Sequence, residues 1–338
     1  MSALSLRYAG VAYFDRTRPL ELGEVVPEGI DLEFVGFDNV GELFRRMAQE
    51  ADFEVSEMSL STLCMMVSRG DDRLVGIPVF PSRAFRQSQI YVHAGAGIEK
   101  PQDLAGRRVG VPEYQMTAAL WIRAVLEHDY GVPPSAVRWQ TGGLKTPAYQ
   151  ERFHHDLPEG VTLERIPADK ALEPMLAAGE LDALIHAHQP DEFRAGNPAV
   201  ARLFPDYRAV ERDYYGRTGL FPIMHTVVVR RDVYDANPWI ARSLLDAFEE
   251  AKRRARERLR DQDTLAVMHP WLAAELDCVK AEFGGDPFAY GLEANRKVLE
   301  ATTQYSFEQG LSVRKLDPAE LFAAETHGWT ASEDEPRA

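Results

Sequence analysis

Two hydrophobic rhythms alternate along the first two thirds of the chain. Residues 4–9 alternate as a strand, and the Tyr-Phe-Asp-Arg-Thr-Arg run at 13–18 forms a polar-aromatic turn ending at Pro19. Residues 30–37 alternate again. Asn39 and Glu42 then stand as a capping-box pair before Val40, Leu43, Phe44 and Met47, which recur at helical spacing. A short strand at 53–55 runs through Ser56-Glu57-Met58-Ser59 into a helix carrying Leu60, Leu63, Cys64 and Val67. Residues 75–98 form a long extended segment broken by Pro78 and Pro81, which predicts a crossover strand rather than a hairpin.

A second series follows the Gly95-Ala96-Gly97 hinge. Residues 108–111 predict a buried strand ended by Pro112. After the turn Glu113 to Thr117, Leu120, Ala124, Val125 and His128 mark a helix stopped by Gly131 and Pro133. Strands are expected at 137–140 and 162–166, with a polar insertion at 144–162 and a helix at 171–178. Residues 204–219, rich in charge and tyrosine, are expected to be a loop; 226–229 is a strand, and 239–260 a single long helix. The six basic residues Lys252, Arg253, Arg254, Arg256, Arg258 and Arg260 are expected on its solvated face, with Glu249 and Glu250 pairing forward.

At 338 residues the chain exceeds the size at which one core keeps growing, so two lobes are expected. The two extended crossings divide it into residues 1–94 with 206–338, ending in helices, and residues 95–205. The formal net charge of −15 argues against a nucleic-acid or anionic-membrane partner. An anionic ligand then needs a local arginine cluster. Two cysteines without C-x-x-C spacing suggest neither a disulfide framework nor a thiolate zinc site. The opening MSALSLRYAGVAYFD lacks the pattern of a secretion signal, from which a cytoplasmic location is expected. Self-association into a homo-oligomer stays open.

Candidate chemistry gathers at the predicted strand ends, where open α/β sheets bind ligands. Glu57 is placed either to meet a ligand hydroxyl or proton, or to stabilise a helix dipole. Arg83 and Arg86, beside Ser82, form a guanidinium pair for carboxylates if the Pro81-Ser82 kink turns them together; otherwise one faces solvent. Arg16 is a further anion partner or a surface arginine. Tyr114, Gln115 and Thr117 sit at a helix N-terminus suited to a carboxylate, with a plain N-cap as the alternative. His186 and His188 share a face if their strand persists: as general acid, as metal ligands with Glu57, or as backbone-satisfied residues. His225 is a second acid/base candidate or a buried structural histidine. His154 and His155, being adjacent, point apart and argue against a metal site.

The runs PVFPSRAFR at 78–86, GVPEYQMTAALWIR at 110–123, TGLFPIMHTVVVRRD at 218–232, NPWIARSLLDAFEEAK at 237–252 and YGLEANRKVLE at 290–300 resemble the 4,5-dihydroxyphthalate decarboxylases over residues 4–322. The resemblance implies an α/β fold of the type II periplasmic-binding-protein kind: two lobes, each a mixed sheet flanked by helices, with a ligand cleft between them. It also implies a carboxy-lyase of aromatic catabolism and phthalate degradation, whose small aromatic di-acid substrate is protonated on the ring as carbon dioxide leaves. In that chemistry Arg83 and Arg86 clamp the carboxylates with help from Tyr114 to Thr117. His186 or His188 is the ring acid, and Glu57 accepts from the hydroxyls. No nucleotide, flavin or pyridoxal motif is present, so no organic cofactor is expected. A divalent metal on His186, His188 and Glu57 is the open alternative. The runner-up function is a non-catalytic solute-binding protein for a small anionic or aromatic ligand; a pyrimidine-synthesis protein of the same fold ranks last for want of a glycine-rich phosphate loop.

Overall fold

The structure, a computed structural model, describes residues 3–148, 156–261, 263 and 266–331. Its strands, in chain order, are β1 (Leu4–Val11), β2 (Ile30–Phe37), β3 (Val55–Ser59), β4 (Leu74–Arg83), β5 (Ile90–His93), β6 (Arg108–Val111), β7 (Arg138–Thr141), β8 (Thr162–Arg165), β9 (Ala183–Ile185), β10 (Val200–Arg202) and β11 (Ile223–Arg230). They form two sheets in two compact units. Unit 1 comprises the chain up to Arg83, Ile223–Glu300 and everything from Leu316 on; unit 2 comprises Ala84–Pro222 and Ala301–Lys315.

The unit 1 sheet has the order β2-β1-β3-β11-β4. β1 lies parallel to β2 and β3, and β11 runs antiparallel to β3 and β4. All five residues of the central strand β3 are buried, and so are eight of the nine in the following helix, Leu60–Ser68. Asn39 caps the helix Val40–Glu50, its side-chain oxygen accepting from the backbone N–H groups of Gly41 and Glu42. The long helix Ile240–Arg260 presents Leu244, Leu245, Phe248, Ala251 and Ala255 to the core, and the Phe248 ring meets Tyr8 edge-on at 5.0 Å. Gly10 is required two residues along β1 from Tyr8, because a Cβ there would lie 2.6 Å from the tyrosine oxygen.

At the start of β3, Glu54 accepts from Arg7 through both carboxylate oxygens at 2.9 Å, and Arg230 adds a contact at 3.3 Å. The hydrogen bonds from Arg7 hold the Glu54 carboxyl down at about 2. Its folded pKa lies below its unfolded one, so the stabilisation is complete above pH ~4.5 and is lost as pH falls toward ~2. Glu54→Gln is expected to lose on the order of 2 kcal/mol at pH 7 and to flatten the pH dependence between 4.5 and 2, as read by urea titration at several pH values.

The unit 2 sheet has the order β10-β5-β9-β6-β7-β8, with β9, β6, β7 and β8 parallel and β5 antiparallel to both its neighbours. Tyr91, Leu172, Leu176, Leu181, Leu184 and Val200 form one buried cluster on it. The helix Thr117–Tyr130 is buried without interruption from Thr117 to Leu126, and it ends at Gly131 with φ 70°.

Several sequence expectations change here. The crossings fall at residues 83–84 and 222–223, not at 94–95 and 205–206, because β5 pairs with β9 and β10 in the second sheet. Residues 301–315 also belong to unit 2. The expected loop at 204–219 contains the helix Tyr207–Thr218, capped by Asp206; only Glu211 and Tyr214 on it are buried, so it carries no apolar stripe for the sequence to show. β3 begins at Val55, which places Glu57 inside the strand, and Thr117 is the first helical residue, with Met116 as the cap. Among the described residues, no helix is long and apolar enough to cross a membrane.

Candidate functional site

Unit 1 brings Glu57 and His225 together by strand register. Glu57 stands opposite Val227 and Ser59 opposite His225, so the carboxylate and the imidazole are diagonal neighbours across the β3–β11 pair. The Glu57 side chain is wholly buried. One oxygen lies 2.5 Å from His225 Nδ1, and the other accepts the Val11 backbone N–H at 3.0 Å. Phe44 holds the imidazole edge-on at 4.8 Å. A carboxylate on Nδ1 fixes the ring orientation and leaves Nε2 as the working nitrogen. His225 is the more exposed partner, its side chain 17% accessible. Both Glu57 oxygens are thus engaged within unit 1, one by His225 and one by the Val11 N–H, rather than left open for a ligand hydroxyl.

The irregularity in β4 seats the neighbouring groups. β11 residues 225 to 227 pair with Ser82 and Ile77, so the Pro78–Pro81 stretch bows out of register. Ser82 thereby lies across from His225, and Arg83 across from Ile223. Arg83 Nη1 donates to Asn295 Oδ1 at 2.7 Å, while Asn295 donates to the Ala289 and Gly291 carbonyls at 2.9 Å. Arg16 is bound to Asp15 at 2.9 Å, donates to the Pro81 carbonyl, and stacks 4.0 Å over Phe14. It braces the bowed strand rather than presenting a free surface guanidinium.

Unit 2 gathers the other predicted groups. β9 stops at Ile185, so the expected strand does not carry His186 and His188; their rings still meet at 5.1 Å because the chain curls until the His188 N–H donates to His186 Nδ1 at 3.2 Å. Burial, then the charge of His188, pushes His186 down to about 3. Burial, Arg86 and Lys145 lower His188 as well. Arg86 is buried, and desolvation lowers it to about 10 although Glu211 opposes the shift. The clamp pair is divided: Arg83 is anchored in unit 1 by Asn295, and Arg86 belongs to unit 2 with Glu211 as its counter-charge.

The turn before the helix Thr117–Tyr130 is held from beneath. Fully buried Arg123 stacks 3.6 Å over the Tyr114 ring and donates to the Tyr114 carbonyl at 2.7 Å and to Gln309 at 2.8 Å. Gln115 is buried and donates to Glu113 at 2.6 Å, and Thr117 is buried at the helix start. Sequence reading missed Arg123, Gln309 and Asn295, which support the site through contacts 180 or more residues apart or through a buried cation that no motif marks.

Among the described residues, no group of three His, Cys, Asp or Glu side chains is arranged to hold a metal ion; of the open metal alternative, His186 and His188 lie in unit 2 and Glu57 in unit 1. Glu57 is committed to His225, and His186 Nδ1 to a backbone N–H. His154 and His155 lie outside the described residues.

No family model matches the chain. Among solved structures, it is similar to the periplasmic aliphatic sulphonate binding protein SsuA from Escherichia coli (TM-score 0.55, 15% identity, covering 96% of this chain and 99% of that one). It is equally similar to the Candida albicans CA3427 gene product, described as exhibiting the generic periplasmic binding protein fold (TM-score 0.55, 10% identity, 97% and 99% covered). At such identities the likeness speaks to fold alone, and the fold is the two-lobed α/β fold of periplasmic binding proteins. Among curated proteins, a 4,5-dihydroxyphthalate decarboxylase from Pseudomonas putida is 40% identical over 215 residues, 64% of this chain and 83% of the relative. One of the same name from Comamonas testosteroni is 40% identical over 322 residues, 95% of this chain and 97% of the relative. With that identity along almost its whole length, the chain belongs to the 4,5-dihydroxyphthalate decarboxylase family.

Proposed function

We propose that the chain is a carboxy-lyase that converts 4,5-dihydroxyphthalate to protocatechuate and carbon dioxide, with His225 as the proton donor to the ring. The buried Glu57–His225 pair at 2.5 Å is the observation that carries the assignment. The ring is electron-rich because each carboxylate has a hydroxyl para to it. Protonation of the carbon bearing one carboxylate by His225 Nε2–H gives a cationic ring, on which the carbon–carboxylate bond breaks; its electron pair restores aromaticity as carbon dioxide leaves. One proton is consumed per turnover and returns to His225 from solvent. Glu57 stabilises the charged imidazole and fixes its tautomer, as a carboxylate does in other oriented acid/base pairs.

Arg83 and Ser82, seated across β11 from Ile223 and His225, are the unit 1 groups suited to a substrate carboxylate. Anchored by Asn295, Arg83 reaches the ligand preorganised, which lowers the entropic cost of orienting it. His186 is neutral at pH 7 with its value near 3, so it is not the ring acid in this scheme. No step in the scheme is routed through a metal.

Incubation of the purified protein with 4,5-dihydroxyphthalate, with and without a chelator, tests the assignment by carbon dioxide release and protocatechuate formation. Stoichiometric release of both, unchanged by the chelator, is expected. Loss of turnover restored by one added divalent metal would overturn the metal-free scheme. Ligand-induced stabilisation without turnover would make the chain a solute-binding protein.

A further inference from the structure

We propose that Arg86, Gln87 and His186 form a carboxylate-binding subsite within unit 2, built to take one carboxylate of an aromatic di-acid. The choice of di-acid rests on the decarboxylase assignment; the anion chemistry rests on the donors themselves.

The three groups come from two neighbouring segments. Gln87–Gln89 is a short turn that leads straight into β5, and His186 follows β9 at once. β5 and β9 are paired from Ile90 and Ile185, and the His186 N–H donates to the Gln89 carbonyl at 3.3 Å. The turn and the histidine therefore share one end of the same strand pair.

Each group presents donors. The Gln87 side chain is oriented by its oxygen, which accepts the Arg86 N–H at 3.2 Å, so the amide nitrogen must point the other way. That nitrogen is buried and has no hydrogen-bond partner among the described residues, in a residue only 2% exposed. A buried amide N–H₂ left unsatisfied is costly, and a ligand acceptor removes the cost. His186 accepts from the His188 N–H at Nδ1, which places the ring proton of the neutral imidazole on Nε2 and makes that atom a donor. Arg86 supplies the cation, and the charge of Lys145 acts on both histidines. Glu211 is the acidic neighbour of Arg86, and one of its oxygens accepts the Ser88 N–H at 2.9 Å.

The cluster is thus donor-rich and holds the Arg86 guanidinium, while Lys145 nearby is paired with Asp191 at 2.6 Å, in a chain whose formal charge is −15. A ligand that satisfies it brings negative charge and two planar acceptors, which describes a carboxylate. Burial first, and neighbouring positive charge after it, lowers both histidines; His186, at about 3, is neutral and donates to an anion without surrendering its proton.

Phthalate, which carries both carboxylates and lacks the ring hydroxyls that drive the reaction, is the probe. Calorimetric titration is expected to show binding that weakens about 10-fold in Gln87→Leu, the effect of one hydrogen bond to a charged group, and about 100-fold in Arg86→Met. Ligand-free melting temperatures report whether either variant folds. On the unaltered protein, nitrogen NMR of the His186 ring, identified by its loss in His186→Gln, is expected to move when phthalate is added. Unchanged phthalate affinity in a folded Gln87→Leu, or an unmoved His186 signal at saturation, would overturn the subsite, as would sulfate displacing phthalate at equal concentration. The two assignments fail separately. Turnover of 4,5-dihydroxyphthalate with an unaltered KM in Gln87→Leu removes the subsite and leaves the decarboxylase; phthalate binding that depends on Gln87 without any turnover removes the decarboxylase and leaves the subsite.

Discussion

His225→Gln is expected to lower kcat for 4,5-dihydroxyphthalate by about 1,000-fold, within the range usual for loss of a positioned general acid. KM should move little, because the imidazole acts on the ring carbon rather than on the carboxylates. Glu57→Gln should cost about 100-fold or more for a different reason. Its carboxamide faces two donors, the Val11 N–H at 3.0 Å and His225 Nδ1 at 2.5 Å, with only one acceptor oxygen. Whichever way the amide turns, an N–H₂ group meets a donor, or the imidazole changes tautomer. Because the two residues act as a unit, the double variant should be no slower than His225→Gln alone. Steady-state kinetics on folded variants reads all three values, and additive losses would show that the residues act independently.

Lys252→Met is expected to destabilise unit 1 by roughly 3–5 kcal/mol, the cost of leaving buried carboxylates without their cation. The ammonium is buried and lies 2.9 Å from Glu249, 2.8 Å from Asp286, 3.1 Å from the Phe288 carbonyl and 4.1 Å above the Tyr290 ring. Burial alone would raise the Asp286 carboxyl, but Lys252 and Arg256 outweigh it and leave the group below its usual range; Glu249, for which burial wins, ends above it. Asp286 is therefore the main counter-charge, and Asp286→Asn with Lys252→Met should recover part of the loss. Calorimetric or circular-dichroism melting is expected to show a fall of roughly 10 °C for Lys252→Met alone. A fall under about 2 °C would return Lys252 to the solvated face on which the sequence put it.

Lys252 shows how legible the sequence was and where it misled. The run of basic residues from 252 to 260 invited reading as one exposed face, yet Leu244, Leu245, Phe248, Ala251 and Ala255 define the core stripe, and Lys252 lies four residues from Phe248 within it. Helical period carried the answer; charge composition hid it. Period also placed β1, β2 and the helix ending at Gly131 closely, because each has a strong alternation or a left-handed glycine stop. It failed at Tyr207–Thr218, whose polar surface gives no stripe.

The chemical groups were found by type, but their partnerships were not. Glu57 and His225 were named separately, since 168 residues divide them and only the antiparallel register of β3 and β11 joins them. His186 and His188 do meet, through a chain curl rather than the expected strand face. Arg83 and Arg86 look like a pair in sequence, yet Arg83 takes Asn295 from residues 212 positions away, and Arg86 falls in the other unit. Gln87 was not given a role; its side-chain amide nitrogen is buried and has no hydrogen-bond partner among the described residues.

The central claim is that the ring proton comes from the Glu57–His225 pair and not from the histidines of unit 2. Its most direct test is protocatechuate formation at saturating 4,5-dihydroxyphthalate by His225→Gln beside the His186→Gln/His188→Gln double variant. The expected result is a kcat about 1,000-fold down in the first, and a raised KM with kcat within about 10-fold of the parent in the second. A near-normal kcat in His225→Gln with a collapsed kcat in the double variant would contradict the account and move the acid to unit 2.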